Sequence, residues 1–381
     1  ALINPRDSGV PFRLAREPGF NITYYFQTIL RFTSIKFTEG SLFLKYGLVL
    51  PQGMLYDLPR NPVEAYDFII NMVMKAEELG FNSIWFFDHL QPYPIITRDN
   101  VFESLMLLSS IAVLTKRIKI GLLVACSLFR YPTLLAKMSS IIDYISNGRL
   151  IFGVGVCWYE REFRRFGINF PKYAERVKML EEALEITIKS WIQDEVYFRG
   201  KYFNIEGFIN FPKPKQKPYP PILIGGSSKG LLKIVAKYGD LWNYVGPINK
   251  LDERYKQIKA YCNKLGRPCN IKKTYYTWII SGPSCFVVSR RIGKFLFKIL
   301  SKAISYPTSS IGVLGDFIRK TWRRVGFSLF PETLLVGTYK EVRKKIEIIK
   351  SKGVHEVMLY IPLLYEEPNV LEEYVEKILV I

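Results

Sequence analysis

Histidine is scarce in this chain: His89 and His355 are the two in 381 residues. Cysteine is nearly as sparse, with Cys126, Cys157, Cys262, Cys269 and Cys285 and no C-x-x-C pair. A zinc site needs closely spaced Cys or His ligands, so no metal centre is expected. The thiols are expected to stay free and buried in a reducing compartment. No apolar run approaches the roughly 20 residues that a membrane-spanning helix requires. The basic, apolar and small-residue series of a secretory signal is missing, and the first methionine is Met54. These absences predict a cytoplasmic protein that does not engage a membrane. Acidic residues are also in deficit, 34 against 54 Lys and Arg, for a net charge of +20. Such an excess attracts polyanions. The basic residues are not interleaved with a recognisable nucleic-acid module, however, so no nucleic-acid partner is expected.

What is present is a large apolar and aromatic stock, 49% and 15% of residues, enough for a substantial core and inconsistent with disorder. From residue 45 onward, short β-rich runs alternate with helical patterns. Strands are expected at Lys45–Leu50, Ser83–Phe87, Ile118–Val124, Leu150–Gly155, Pro221–Ile224, 241–245, 274–280 and 356–361. Helices are expected at 61–79, 101–114, 132–145 and 172–192. The first is the best marked: Asn61 as N-cap, Pro62 in the first turn, Glu64 in the capping-box position and Gly80 as the stop. About eight strands separated by helices predict an α/β fold, a parallel sheet closed into a (β/α)₈ TIM barrel over residues 45–381. An open doubly wound sheet is the rival. Its only support is Gly153-Val154-Gly155, which lacks the third glycine of a dinucleotide fingerprint.

Three regions stand outside a minimal barrel. Residues 1–44 show no period and read as a poorly ordered N-terminal extension. Residues 196–220 contain Phe211-Pro212-Lys213-Pro214 and Lys217-Pro218-Tyr219-Pro220, which predicts an extended surface loop. Residues 281–330 form a largely helical insertion whose nine cations (Arg290, Arg291, Lys294, Lys298, Lys302, Arg319, Lys320, Arg323, Arg324) face one acid, Asp316. The cations read either as solvated helix faces of a heat-adapted chain or as a rim holding an anionic tail.

In such barrels the chemistry lies at the C-terminal ends of the strands. Three strand ends stand out. At Trp85-Phe86-Phe87-Asp88-His89 a hydrophobic strand stops in Asp-His, and a histidine titrating near neutrality can move a proton. The plain alternative is that His89 satisfies a backbone group; His355, at the start of the last strand, is read as structural. At Leu122-Leu123-Val124-Ala125 the strand end can back a flat ring, and Arg130 can anchor an anion or cap the next helix. At Ile224-Gly225-Gly226-Ser227-Ser228 a strand runs through glycines into hydroxyls at a helix start. That is either a phosphate cradle or a tight turn with a serine cap.

The segment Arg130–Gly167, with Ile142-Asp143-Tyr144-Ile145-Ser146-Asn147-Gly148-Arg149, Gly153-Val154-Gly155 and Trp158-Tyr159-Glu160-Arg161-Glu162-Phe163, resembles the luciferase-like monooxygenases. It resembles more narrowly their branch that uses the deazaflavin coenzyme F420. Asp88-His89, Lys213-Pro214, Tyr238-Gly239-Asp240-Leu241-Trp242-Asn243 and Leu335-Val336-Gly337-Thr338 follow in the same order. The resemblance implies a bulge with a non-proline cis peptide at Leu123–Val124 behind the deazaflavin ring. It implies ring contacts from Asp88 and phosphate contacts from Gly225, Gly226, Ser227 and Ser228. His89 would be the acid/base or positioning histidine. A glutamate that donates a proton in the glucose-6-phosphate dehydrogenase branch is replaced here by Trp158. Sugar-phosphate oxidation is therefore disfavoured; Trp158 would instead contact the cofactor and wall an apolar substrate pocket, and Arg130 is the other expected substrate contact.

The expected function is hydride transfer between F420 and a small organic substrate, with His89 as acid/base and the basic insertion on the cofactor's oligoglutamate tail. The alternatives are an FMN-dependent monooxygenase using O₂ and a non-catalytic flavin-binding barrel. A homodimer is expected by resemblance alone.

Overall fold

The computed structural model describes residues 44–306 and 333–379. The expected N-terminal extension and Arg319, Lys320, Arg323 and Arg324 lie outside them. The chain divides at Phe43/Leu44, and the unit from Leu44 onward is the one described here.

Eight parallel strand positions close into a barrel. In chain order these are β1 (Lys45–Val49), β2 (Ser83–Phe86), β3 with β4 (Lys119–Leu122, Ala125–Cys126), β5 (Leu150–Gly155), β8 (Ile222–Gly225), β9 (Leu241–Tyr244), β10 (Lys272–Gly282) and β12 (Glu356–Tyr360). Each pairs with its neighbour, and the β9–β10, β10–β12 and β12–β1 pairings complete the circle. The strands are near-continuous apolar runs because both faces are covered, by helices outside and by lumen side chains inside. Val49, Trp85, Leu123, Ile151, Leu223, Leu241, Met358 and Tyr360 fill the lumen. A larger shell, including Leu48, Ile84, Ile120, Phe152, Ile224 and Leu359, packs outward against the helices.

The first helix, α1 (Pro62–Glu78), begins at the expected N-cap, where the Asn61 side chain accepts from the Val63 and Glu64 amides, but Glu64 closes no capping box and accepts from the Tyr365 hydroxyl instead. The helices expected at 101–114, 132–145 and 172–192 are α2 (Ser104–Leu114), α3 (Pro132–Ile145) and α5 (Tyr173–Ile192), with the short α4 (Glu160–Arg165) before the last. The surface loop expected at 196–220 is in part a hairpin, β6 (Val196–Arg199) against β7 (Asn204–Phe208). Its inner side chains Val196 and Ile205 pack on Ala183 and Ile186 of α5. The prolines that signalled a loop all follow the hairpin.

The part of the 281–330 segment that is described opens with the end of β10 and continues as α8 (Cys285–Ser305). β11 (Leu335–Thr338) then pairs with the outer end of β10, extending it beyond the barrel. Four of the five α8 cations are paired rather than presented as an open rim, and Arg290 is exposed. Arg291 binds Glu367 and Glu373, Lys294 binds Glu367, Lys298 pairs with Glu366, and Lys302 binds Asp99. They clamp α8 to the C-terminal segment and to the loop after β2.

At the opposite, N-terminal end of the barrel, the His355 ring lies among Lys45, Lys119 and Lys272. Burial and these cations push it down to about 4, so the folded protein holds the neutral imidazole. An unfolded histidine titrates near 6.5. The depressed value means that this contribution to stability is whole above about pH 6.5 and is lost as the pH falls toward 4. Urea midpoints should therefore drop across that window, and His355→Gln should flatten the drop. An unchanged slope in the variant would refute the assignment.

Candidate active site at the barrel mouth

β2 ends at Phe86, and the chain then turns out over the barrel rim. His89 is buried there because Glu162, on α4, reaches across to it. His89 Nδ1 lies 2.9 Å from Glu162 Oε2, and the other carboxylate oxygen accepts from the Leu90 and Gln91 amides at 2.6 and 3.2 Å. A carboxylate can only accept, so Nδ1 carries the hydrogen and Nε2 is left as the proton-accepting atom. Gln52 donates to the His89 carbonyl at 2.8 Å, fixing the backbone of the same residue. Trp158 stands edge-on to the imidazole with centroids 5.5 Å apart, and Tyr93 and Tyr159 complete the cluster. Half of the Trp158 surface remains exposed.

The Asp88 carboxylate faces inward. It accepts from Ser104 Oγ, from the Cys126 amide at 2.8 Å, and from Arg130 at 2.7 and 3.0 Å. Arg130 also pairs with Glu103. Its guanidinium is held above its already high range by these acids against the cost of burial. Asp88 and Arg130 thus hold one another and the backbone at Cys126, two residues past the bulge.

The bulge is where the family pattern places it: Leu123–Val124 is a cis peptide, between β3 and β4. Val124 is flanked by two glycines. A Cβ on Gly155 would stand 2.6 Å from Val124 Cγ2, and one on Gly225 would stand 3.0 Å from Cγ1. Only hydrogen at those positions lets the three strand ends close to form a shared apolar platform. Beyond Gly225, Gly226 takes φ +124°, a conformation other residues rarely adopt, and turns the chain into α6 (Lys229–Tyr238). Ser228 caps that helix by accepting from the Leu231 amide, and its Oγ also contacts the Tyr173 hydroxyl. Its hydroxyl is thus committed to the cap, which leaves first-turn amides at a positive helix end, an arrangement that favours an anion. Ser227 stands half-buried in the turn before it.

One expectation is corrected. Cys126 and Cys157 form a disulfide, with Cα atoms 5.0 Å apart, so the free thiols among the described residues are Cys262, Cys269 and Cys285. The two partners are 31 residues apart, and only the parallel pairing of β4 with β5 brings their strand ends together. The bond ties the backbone beside the bulge to the residue before Trp158. By loop-closure entropy a cross-link over this span contributes about 3.5–4 kcal/mol. Unfolding in urea with and without dithiothreitol should show a loss of that order, and equal midpoints would count against it.

Residues 45–298 match the family model for luciferase-like monooxygenases. The chain belongs to that family. An F420-dependent glucose-6-phosphate dehydrogenase of Amycolatopsis mediterranei (strain U-32) is 30% identical over 171 residues, 45% of this chain and 49% of the relative. An FMNH(2)-dependent dimethylsulfone monooxygenase of Pseudomonas putida is 24% identical over 275 residues, 67% of this chain and 72% of the relative. The chain spans about half the length of the first curated relatives it matches. An F420-dependent secondary alcohol dehydrogenase, solved as an F420-acetone adduct, superposes with a TM-score of 0.65 at 20% identity, covering 84% of this chain and 93% of its own; that likeness shows the barrel alone. Among the described residues of this family member no cluster of His, Cys, Asp and Glu could hold a metal, and no helix is long and apolar enough to cross a membrane.

Glu162 is the residue that sequence reasoning passed over. It lies inside the Trp158–Phe163 motif, but nothing in the Glu-Arg-Glu run marks which acid faces inward. Only the tertiary fold buries its side chain to 1% exposure.

Proposed function

We propose that this luciferase-like protein is an oxidoreductase that binds coenzyme F420 at the barrel mouth and transfers a hydride to or from a small organic substrate. The observation that carries this reading is the His89–Glu162 pair, an imidazole held in one tautomer just past the end of β2, the strand paired with the bulged β3. The residues present fit the cofactor: the Gly155–Val124–Gly225 surface offers a flat ring an apolar backing, and the start of α6 offers its phosphate a positive helix end. When bound, the deazaflavin supplies the hydride-accepting carbon. The chain's own residues do the rest. Val124 and Trp158 exclude water, and His89 Nε2 takes or returns the substrate proton while Glu162 holds the ring in place.

A second reading, an FMN-dependent monooxygenase, is favoured by the longer overlap with the FMNH(2)-dependent relative. Titrating the purified protein with F420 and with FMN separates the two. F420 should bind in the micromolar range or tighter, and uptake of FMN alone would overturn the first reading. Binding of neither would sink both. The homodimer implied by the family belongs to the same proposal. Exposed Leu134, Ile141 and Tyr144 along α3 offer it an apolar surface, and sedimentation at micromolar concentration should show two copies.

A further inference from the structure

Across the barrel from the bulge stands a second group of polar aromatics for which the proposed chemistry has no task. β10 is the seventh strand position and the bulged β3–β4 the third, so they lie on opposite sides of the eight-membered ring. From β10, Tyr276 and Trp278 point into the lumen cluster and remain half-buried at its upper layer. The Trp278 indole donates to the Tyr276 oxygen at 2.5 Å. The Phe87 ring, two residues before His89, meets Tyr276 edge-on at 5.7 Å and lies 5.9 Å from Tyr360. Tyr360 donates in turn to Asp57 at 2.7 Å, and the Gly53 amide donates to the same carboxyl group at 2.8 Å.

Three features of this wall point one way. With the indole hydrogen on one lone pair of the Tyr276 oxygen, the phenol's own hydrogen is directed elsewhere, and among the described residues it meets no acceptor. Accepting one hydrogen bond makes a hydroxyl a better donor of the next. Burial and the Asp57 charge push the Tyr276 phenol well above its ordinary range, so it stays a neutral donor. Its surroundings are otherwise aromatic, and the cations nearest this wall are already paired: Lys298 with Glu366 and Lys302 with Asp99. A carboxylate or phosphate substrate would find no counter-charge there and would lose its hydration.

We infer that the Tyr276 hydroxyl is the hydrogen-bond donor to the oxygen of a neutral, largely apolar alcohol or carbonyl substrate, which lies between the Tyr276–Trp278 wall and the Val124 platform. This inference rests on the reading of the barrel mouth as the active site and adds to it a specificity-determining residue and a substrate class.

The test uses acetophenone labelled with ¹³C at the carbonyl as the probe and infrared difference spectroscopy as the readout. The bound probe should show a carbonyl stretch lowered by one hydrogen bond in the wild-type protein and returned toward its apolar-solvent value in Tyr276→Phe. Affinity should fall about 3- to 10-fold in that variant, the range of one neutral hydrogen bond, and benzoate should not compete. An identical stretch and affinity in both proteins overturns the inference, as does tighter binding of benzoate or the lack of saturable acetophenone binding. The thermal midpoint of Tyr276→Phe, expected near wild type, distinguishes a lost contact from a collapsed wall. F420 and FMN titrations on the same samples keep the two readings apart: failure of cofactor uptake removes the hydride-transfer proposal, whereas the carbonyl shift stands or falls without turnover.

Discussion

Replacing His89 with alanine should lower turnover by about 10²- to 10⁴-fold, the usual worth of a positioned general acid or base, while cofactor affinity changes little. Glu162→Gln tests how the imidazole is held. Its amide oxygen must still face the Leu90 and Gln91 amides, so its NH₂ faces His89 Nδ1. That reverses the hydrogen-bonding pattern: Nδ1 becomes the acceptor, and Nε2 carries the hydrogen. The proton-accepting atom is then blocked at nearly unchanged shape, and turnover should fall by at least about 10-fold with the fold intact. Glu162→Ala behaves differently, because it strands two backbone donors in a buried site and should cost at least about 2 kcal/mol of stability. Turnover by His89→Ala equal to wild type would strip His89 of its proton-handling role, and absence of turnover by the wild-type protein with either cofactor would return the barrel to a non-catalytic binding role.

The barrel was legible because its strands are short apolar runs separated by helical patterns, the first of which carries an N-cap, a first-turn proline and a stop glycine. Residues 45–50 and 150–155 could be read almost to the residue. Features set by the third dimension were not. The β6–β7 hairpin was masked by the prolines after it, and β11 has no pattern of its own because its partner is the extended end of β10. At the site, His89, Val124 and the Gly225-Gly226 turn were marked by position at strand ends, and the cis peptide followed from the family pattern. Which charged groups face inward was hidden. Asp88 and Arg130 look available for ligands in one dimension, yet bind each other once α2 and β4 close over them. Nothing in the sequence marks Glu162 as inward-facing, yet its side chain is buried to 1% exposure. The disulfide was hidden for the same reason: strand pairing, not spacing, made the neighbours.

The platform behind the cofactor gives the second large effect. Gly155→Ala places a methyl 2.6 Å from Val124 Cγ2, and valine's branched Cβ restricts the rotamers it can retreat into, with Gly225 on its other side. The bulge itself must move, and F420 affinity should fall about 5- to 150-fold, the equivalent of the ~1–3 kcal/mol of an overpacked site. Gly225→Ala meets the same side chain at 3.0 Å and should be milder. The decisive comparison is the double variant. Val124→Ala alone removes two methyls from the platform and should weaken binding moderately. In the Gly155→Ala background it removes the clashing atoms and leaves Val124 Cβ at 3.9 Å, an ordinary contact. The second change should therefore restore part of what the first removed, a coupling of opposite sign to simple addition. Fluorescence titration of the four proteins measures it. Additive losses would mean that the glycines serve the strand backbones alone and that Val124 is not what they make room for.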